Sequence, residues 1–268
     1  MLGAAREVFH VVPRYQPVFQ ALGLTAQSVF TDPRIVVWRS IRERQNCTLD
    51  IDLGDGKTTR LHVKRYFPAR GFLTPADEES RGIRALEIEQ IPTAPLVAYG
   101  KLTDGRSFLI TEDLAGFRPA DKLIAEGFDF EKLLEPTADL AARLHDRGLH
   151  HRDLYLCHFF AKPGSNPLEL RLIDAARVRR LPGFLTRRRW IVKDLAQFWY
   201  STQSLAVTDD QRTRWLARYA ARRGLRSADG LGASVRRKAG WIARHDRRLQ
   251  MAQPRRNISI PSGGFLWL

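Results

Sequence analysis

Apolar and polar side chains alternate with period two in Cys47–Leu53 (Cys47, Leu49, Ile51) and again in Thr59–Tyr66 (Leu61, Val63, with Lys64 near the end). This alternation predicts two half-buried strands, joined at the turn-forming Gly54-Asp55-Gly56. Arg34–Arg39 reads as a strand before them. Val97–Tyr99 and Ser107–Thr111 read as two later strands joined by Thr103-Asp104-Gly105-Arg106. The period then becomes helical. Pro75–Glu89 starts with proline and acids and continues with Ile83, Leu86 and Ile88, the signature of a helix entered at its amino end. Glu131–Arg147 repeats Leu133, Leu134, Ala138, Leu140, Ala141 and Leu144 along one face. Further helices are expected from Asp194 (Leu195, Phe198, Trp199), from Asp209 (Trp215, Leu216, Tyr219, Ala220) and over the basic stretch Val235–Gln250. Residues 1–33 carry short apolar patches and predict an irregular or helical lead-in. Asn257–Leu268 is a short apolar tail with no readable role.

One polar stretch interrupts this pattern. After the helix ending near Arg147-Gly148 come His150, His151, Arg152, Asp153, Cys157 and His158, before the apolar Phe159-Phe160. An irregular loop suits it better than a helix or strand. Leu170–Ile173 then forms a short β-like run ending in Asp174, twenty-one positions after Asp153. A single Asp in a loop is ordinarily a turn former, and a single His a satisfied polar group. Here three such residues stand in series at a helix end, with a strand-borne carboxylate following, which points to chemistry. The crowding of His145, His150, His151, Cys157 and His158 raises zinc as an alternative. Neither a His-Glu-x-x-His nor a Cys-x-x-Cys motif accompanies it.

His151-Arg152-Asp153 followed by Asp174 resembles the catalytic loop and metal-binding Asp of protein-kinase-like enzymes. The longer run His151–Phe159, with His158 where most kinases have a metal-binding Asn, resembles the lipopolysaccharide core kinases. These heptose and Kdo kinases phosphorylate inner-core sugars at the cytoplasmic face of the inner membrane. The resemblance extends from Val36 to Tyr219 and is strongest between Leu140 and Tyr200. It implies an α+β, two-lobed protein-kinase-like fold: a small antiparallel β-rich lobe over 34–113 and a helical lobe over 114–268, after the lead-in 1–33.

The resemblance also implies roles. Asp153 orients or deprotonates the attacking sugar hydroxyl, and Asp174 holds Mg²⁺. Lys64 contacts the α and β phosphates of ATP and is held by an acid of the Pro75–Glu89 helix, with Glu79 favoured over Glu78. The bland alternative is that these acids only complement the helix dipole. His151 buttresses the loop, and Arg152 anchors a backbone or the segment after Asp174. His158 touches a phosphate or the metal through water, imidazole being a poorer Mg²⁺ ligand than an amide oxygen. Asp194 braces the loop backbone without a catalytic role, and Glu112–Gly116 resembles the interlobe hinge. Two departures matter. Ser40–Asn46 contains no glycine where kinases carry a glycine-rich phosphate loop, which leaves Arg42, Arg44, or the amides of Gln45 and Asn46 as alternatives for that contact. Ala175-Ala176 replaces the usual Phe-Gly, and the segment to Asp194 is short and Arg-loaded, suiting an anionic small or lipid-linked acceptor better than a polypeptide.

Composition narrows the partners. The 268 residues are 44% hydrophobic and 27% charged, ordinary for a globular protein with ample core. Charge is the exception, with 44 Lys and Arg against 29 Asp and Glu, a formal +15. Such a surface favours polyanions, an anionic membrane or a phosphorylated glycolipid, unless it is simply a solvated basic face. No aromatic-basic readout motif appears, so specific nucleic-acid binding is not expected. No apolar stretch reaches the ~20 residues of a membrane span. The charges and prolines in Met1–Leu24 argue against a signal peptide. Cys47 and Cys157, far apart in sequence, suit reduced thiols and a cytoplasmic setting, and the resemblance implies a peripheral place at the cytoplasmic face of the inner membrane. The rival readings are a kinase of protein or another small molecule, and a non-catalytic pseudokinase scaffold.

Overall fold

The computed structural model describes residues 6–52, 58–68 and 73–252. The expected turn at Gly54-Asp55-Gly56 and the tail 257–268 lie outside the described residues. Two compact units emerge: one takes the described residues within Met1–Ile88, Thr93–Ala115 and Ala175–Arg177, the other those within Glu89–Pro92, Gly116–Asp174 and Val178–Leu268. The first is dominated by strands and the second by helices, an α+β protein with a kinase-like arrangement of elements.

The first unit contains β1 (Val8–Val11), α1 (Gln16–Ala21), β2 (Val36–Ile41), β3 (Arg44–Asp52), β4 (Thr58–Tyr66), α2 (Pro75–Ile88), β5 (Leu96–Lys101) and β6 (Ser107–Glu112). Its strands form a six-stranded antiparallel sheet in the order β1-β5-β6-β4-β3-β2. The period-two pattern sorts β3 and β4 onto two faces. Cys47, Leu49, Ile51, Leu61 and Val63 point into a core shared with Tyr15, Phe19, Val29 and Phe108. Each such fully buried side chain is worth roughly 1.5–3 kcal/mol. Asn46, Lys64, His62 and Tyr66 occupy the opposite face with the cross-strand partners that the register dictates.

Two expectations are corrected here, and one close approach is added. The lead-in is part of the sheet: β1 pairs with β5 from Val8↔Lys101 to Val11↔Ala98, and Tyr15, Phe19 and Val29 fill the core. A strand as short as β1 shows no periodicity of its own; pairing with β5 and the packing of Phe9 against Phe19 and Phe108 hold it. The Ser40–Asn46 stretch is no open loop. β2 and β3 extend through it and turn at Arg42-Glu43, since Ile41 pairs with Arg44 and Ser40 with Gln45. Finally, α2 runs close to the segment that follows Asp174. A Cβ built at Gly82 would lie 1.8 Å from the Ala175 carbonyl oxygen, so this position requires glycine.

The second unit contains β7 (Arg118–Pro119), α3 (Ala120–Ala125), α4 (Phe130–Asp146), β8 (Leu149–His150), β9 (Phe159–Lys162), β10 (Glu169–Leu172), β11 (Arg179–Arg180), α5 (Phe184–Ser201), α6 (Asp209–Arg222) and α7 (Asp229–Ala252). Asp129 caps α4 by accepting from the Glu131 amide, and Thr208 and Gln211 form a capping box on α6. Helix α4 packs on α6, and α5 on α7. The Phe198 and Trp215 rings stack at 3.9 Å, while the Trp215 indole donates to the Thr137 hydroxyl at 2.9 Å. Asp194 does not head its helix, as expected from sequence, but lies well inside α5, which begins at Phe184. Arg187, Arg188 and Arg189 therefore sit on the first turns of α5 rather than on a loop.

Candidate active site

Helix α4 ends at Asp146, Gly148 turns the chain at φ +73°, and β8 pairs with β11 through His150↔Arg179. The backbone from His151 to His158 is then free of any long strand or helix, and its amides must find other partners. Helix α5 provides them from one face. The Asp194 carboxylate accepts from the His151 amide at 2.7 Å and from the Arg152 amide at 2.8 Å. Gln197 accepts from the Leu154 amide at 3.2 Å, and the Ser201 hydroxyl from the Leu156 amide at 2.9 Å. Lys193 and Gln197 both donate to the Arg152 carbonyl, at 2.7 and 3.0 Å. Positions 193, 194, 197 and 201 fall on one side of a 3.6-residue helix. That polar stripe clamps the loop.

The clamp holds a strained backbone. Arg152 lies at φ +67° and Asp174 at φ +59°, left-handed conformations that cost a non-glycine residue roughly 1–3 kcal/mol. The Arg152 guanidinium packs 4.8 Å from the centre of the Trp190 ring on α5. His151 is fully buried and its Nε2 donates to the Ile173 carbonyl at 3.1 Å, tying the loop to the residue before Asp174. Burial lowers the His151 pKa, with His158 adding to the effect, so the ring serves as a neutral donor. Asp194 is also fully buried. Burial opposes its charge, but contacts with His145, His151 and the loop amides outweigh that and hold its pKa below the usual carboxylate range.

Asp174 reaches the loop through a hairpin. β9 and β10 pair from Glu169↔Lys162 to Leu172↔Phe159, and the Ile173 amide donates to the His158 carbonyl at 3.0 Å. The next residue is therefore delivered beside His158. Carboxylate oxygens of Asp153 and Asp174 and a ring nitrogen of His158 all lie within 4.8 Å of one another. His158 Nδ1 donates to the Asp153 carbonyl at 2.6 Å, which fixes the ring and directs Nε2 to within 3.7 Å of Asp174 Oδ2. Burial alone would lower the His158 pKa. Cys157, the Asp174 carboxylate and the Asp153 carbonyl outweigh it and push it up to about 10. Gln197 Nε2 lies 3.3 Å from Asp153 Oδ1 and steadies that carboxylate. Two carboxylates converging with one fixed imidazole form a donor set that fits a hard divalent cation, the oxygens as ligands and the imidazole at the margin.

In the first unit, Lys64 Nζ meets Glu79 Oε1 at 2.5 Å, and the Tyr66 hydroxyl donates to the other oxygen of the same carboxylate. Glu79 is 3% exposed, so it is a buried, doubly satisfied carboxylate rather than a solvated helix-dipole partner. Glu79, and not Glu78, is the acid that meets Lys64.

The family model described as the lipopolysaccharide kinase (Kdo/WaaP) family matches residues 38–219. The chain belongs to that family. It is accordingly a sugar kinase, a phosphotransferase with an alcohol group as acceptor. A lipopolysaccharide core heptose(I) kinase WaaP of Pseudomonas aeruginosa is 29% identical over 232 residues, covering 76% of this chain and 84% of that protein. Two proteins of the same description from Escherichia coli, one of them from strain K12, are 30% and 27% identical. Each comparison covers 60% of this chain and 64% of the relative.

Sequence reasoning did not find Lys193, Gln197 and Ser201 as parts of the loop support. The signal was present. Polar residues at i, i+1, i+4 and i+8 interrupt the apolar face of Leu195, Phe198 and Trp199 on a helix that is buried on most sides. His145 was weighed only as a zinc ligand. Its Nε2 lies 3.3 Å from Asp194 Oδ2, and its Nδ1 lies 2.7 Å from the Tyr219 hydroxyl, inside the helical core.

Proposed function

We propose that this kinase transfers the γ-phosphoryl group of ATP, with Mg²⁺, to a hydroxyl of an inner-core sugar of lipopolysaccharide, a heptose in preference to Kdo. The convergence of Asp153, His158 and Asp174, braced by a buried Asp194, carries this reading. The relatives' description as heptose(I) kinases supports the choice of sugar. In the reaction, the acceptor oxygen bonds to the γ-phosphorus, the bond from phosphorus to the bridging oxygen breaks, and ADP leaves. Asp153 orients the hydroxyl and accepts its proton, which passes on to solvent. Asp174 would hold a magnesium ion, which would supply positive charge against the phosphates. His158 Nε2, directed at the same carboxylate, would sit at the margin of that site, within reach of a phosphate. Lys64, held by Glu79, contacts the α and β phosphates. His151 and Arg152 act on the loop backbone and keep Asp153 in place.

An acceptor embedded in a membrane calls for a protein that meets the bilayer surface. Among the described residues no helix is long and apolar enough to cross a membrane. Phe184 and Leu185 at the start of α5 are 93% and 94% exposed and precede Arg187, Arg188 and Arg189. Two apolar side chains beside three cations fit an anionic lipid surface, the first inserting and the second pairing with headgroups. That patch supports a peripheral docking at the inner membrane, whose cytoplasmic face the family resemblance implies.

The test is direct. The purified chain is incubated with labelled ATP, Mg²⁺ and, in parallel, lipopolysaccharide lacking inner-core phosphate, Kdo-terminated lipid A and a peptide panel. Phosphate located by mass spectrometry on heptose is the expected result. Transfer only to peptides, or no transfer to any acceptor, overturns the reading. A pseudokinase remains the second reading, favoured by the glycine-free Arg42-Glu43 turn where kinases hold phosphate with backbone amides.

A further inference from the structure

The strand register places an unusual set of cations on one face of the first unit's sheet. Asn46 stands opposite Lys64 across β3 and β4, and opposite Arg39 across β2 and β3. Arg44, two residues before Asn46, shares that face and stands opposite Tyr66. Arg39, Arg44 and Lys64 therefore surround Asn46 on the face that also carries Glu79's two partners. Arg39 and Arg44 are half-buried, whereas Arg42 and Glu43 at the turn are exposed. Glu79, the carboxylate that Lys64 and Tyr66 reach from this face, is already engaged by both of them.

Arg44 has no carboxylate partner among the described residues, and its Nε is buried without a hydrogen-bond partner. The surroundings register this unbalanced charge. Burial first, then the charge of Arg44, lowers the pKa of Arg39. Burial, then Lys64 and Arg44, lowers that of His62 on the same face to about 4. A half-buried guanidinium such as Arg44, with a donor unused and other cations beside it, is stabilised by a multivalent anion with several acceptor oxygens. The Arg42-Glu43 turn holds only two residues between the paired strands and no glycine, so the backbone offers no cradle of amides for such an anion.

We propose that Arg44, with Arg39 beside it, is the polyphosphate-binding element of this kinase, a side-chain clamp next to Lys64 that replaces a glycine-rich backbone loop. This deepens the nucleotide reading above and rests on it. The ligand class is a nucleoside di- or triphosphate, recognised through its β phosphate and, in the triphosphate, its γ phosphate as well. Arg42, raised from sequence for the same contact, lies instead on the exposed turn.

The experiment is calorimetric titration of the full chain with Mg²⁺ and four probes: ATP, ADP, AMP and inorganic tripolyphosphate. Arg44→Gln and Arg39→Gln remove the charge while keeping a polar, hydrogen-bonding side chain, and Arg44→Lys keeps the charge. Arg226→Gln, exposed in the turn before α7, controls for net charge. Arg44→Gln should weaken ATP and tripolyphosphate by about tenfold or more, as expected for losing a charge-assisted hydrogen-bond pair. AMP should change less than about threefold, and Arg44→Lys should recover part of the loss. Affinities for ATP within twofold of wild type in both glutamine variants overturn the clamp while leaving the kinase reading intact. So does an equal loss for ATP and AMP, which would show a general change in the sheet. Wild-type protein that binds no ATP sinks both.

Discussion

Asp194→Asn removes one charge and changes one atom, at a site where the consequences can be worked out. The carboxylate is fully buried and accepts two loop amides at 2.7 and 2.8 Å, from His151 and Arg152. An Asn side chain has a single acceptor oxygen, so one of these amides would face an NH₂ group with no acceptor within reach. Hydrogen bonds to a charged group are worth about 1.5–3 kcal/mol each, and an unsatisfied buried donor costs about 1–3 kcal/mol. A loss of about 2–4 kcal/mol in stability follows. For a chain of this size that corresponds to a fall of roughly 5–15 °C in Tm. Arg152, whose φ of +67° is maintained by this anchor, would relax and move the adjacent Asp153. A displacement of about 1 Å at a catalytic group can cost ~100-fold, so kcat should fall by about two orders of magnitude with a smaller change in KM for ATP. Thermal unfolding by circular dichroism and steady-state phosphoryl transfer, measured below the variant's Tm, read the two effects separately. A Tm within 1 °C of wild type with kcat within twofold would refute the idea that Asp194 organises the loop.

Three further outcomes follow from the same geometry. Asp153→Asn and Asp174→Asn should each lower kcat by about 10³-fold or more, with far-ultraviolet circular dichroism unchanged. Only the Asp174 variant should also raise the Mg²⁺ concentration needed for half-maximal ATP binding, and wild-type-like turnover in either would sink the assignment. His150, 3% exposed against the Trp190 ring, is pushed by burial, aided by Arg152, down to about 4, with Asp194 opposing. Since the unfolded chain binds this proton near pH 6.5 and the folded one does not until about pH 4, stability should fall as pH drops through that window, by up to about 1.4 kcal/mol per pH unit. His150→Gln should flatten that part of the Tm-against-pH curve, and an unchanged slope would count against a buried neutral ring. Replacing Phe184 and Leu185 together by Ser should weaken sedimentation with vesicles containing 30% phosphatidylglycerol by about tenfold without altering ATP affinity. Equal sedimentation of variant and wild type would remove α5 from the membrane surface.

What could be read along the chain depended on how local the physics was. The β3 and β4 alternation and the α4 stripe are set by side-chain direction, with periods of 2 and 3.6, so the elements were legible almost to their ends. β1 was not, because four residues paired to β5 carry no pattern apart from their neighbour. The start of α5 was misplaced because three arginines in a row look like a solvated loop, whereas contacts with α7, such as Arg188 donating to the Gly230 carbonyl, are invisible in the sequence.

For the site, the sequence marked the candidates: His151-Arg152-Asp153 and Asp174 stood out through the resemblance they carry, which also favoured Glu79 over Glu78 as the acid that meets Lys64. Only the tertiary structure decided how they are held. The α5 stripe of Lys193, Asp194, Gln197 and Ser201 meets loop amides some forty residues away. The hairpin of β9 and β10 sets Asp174 beside His158. Gly82 is needed because the Ala175 carbonyl passes against it. A hydrogen bond or a steric approach between distant segments depends on where the backbone lies in space, and no periodicity within either segment encodes it.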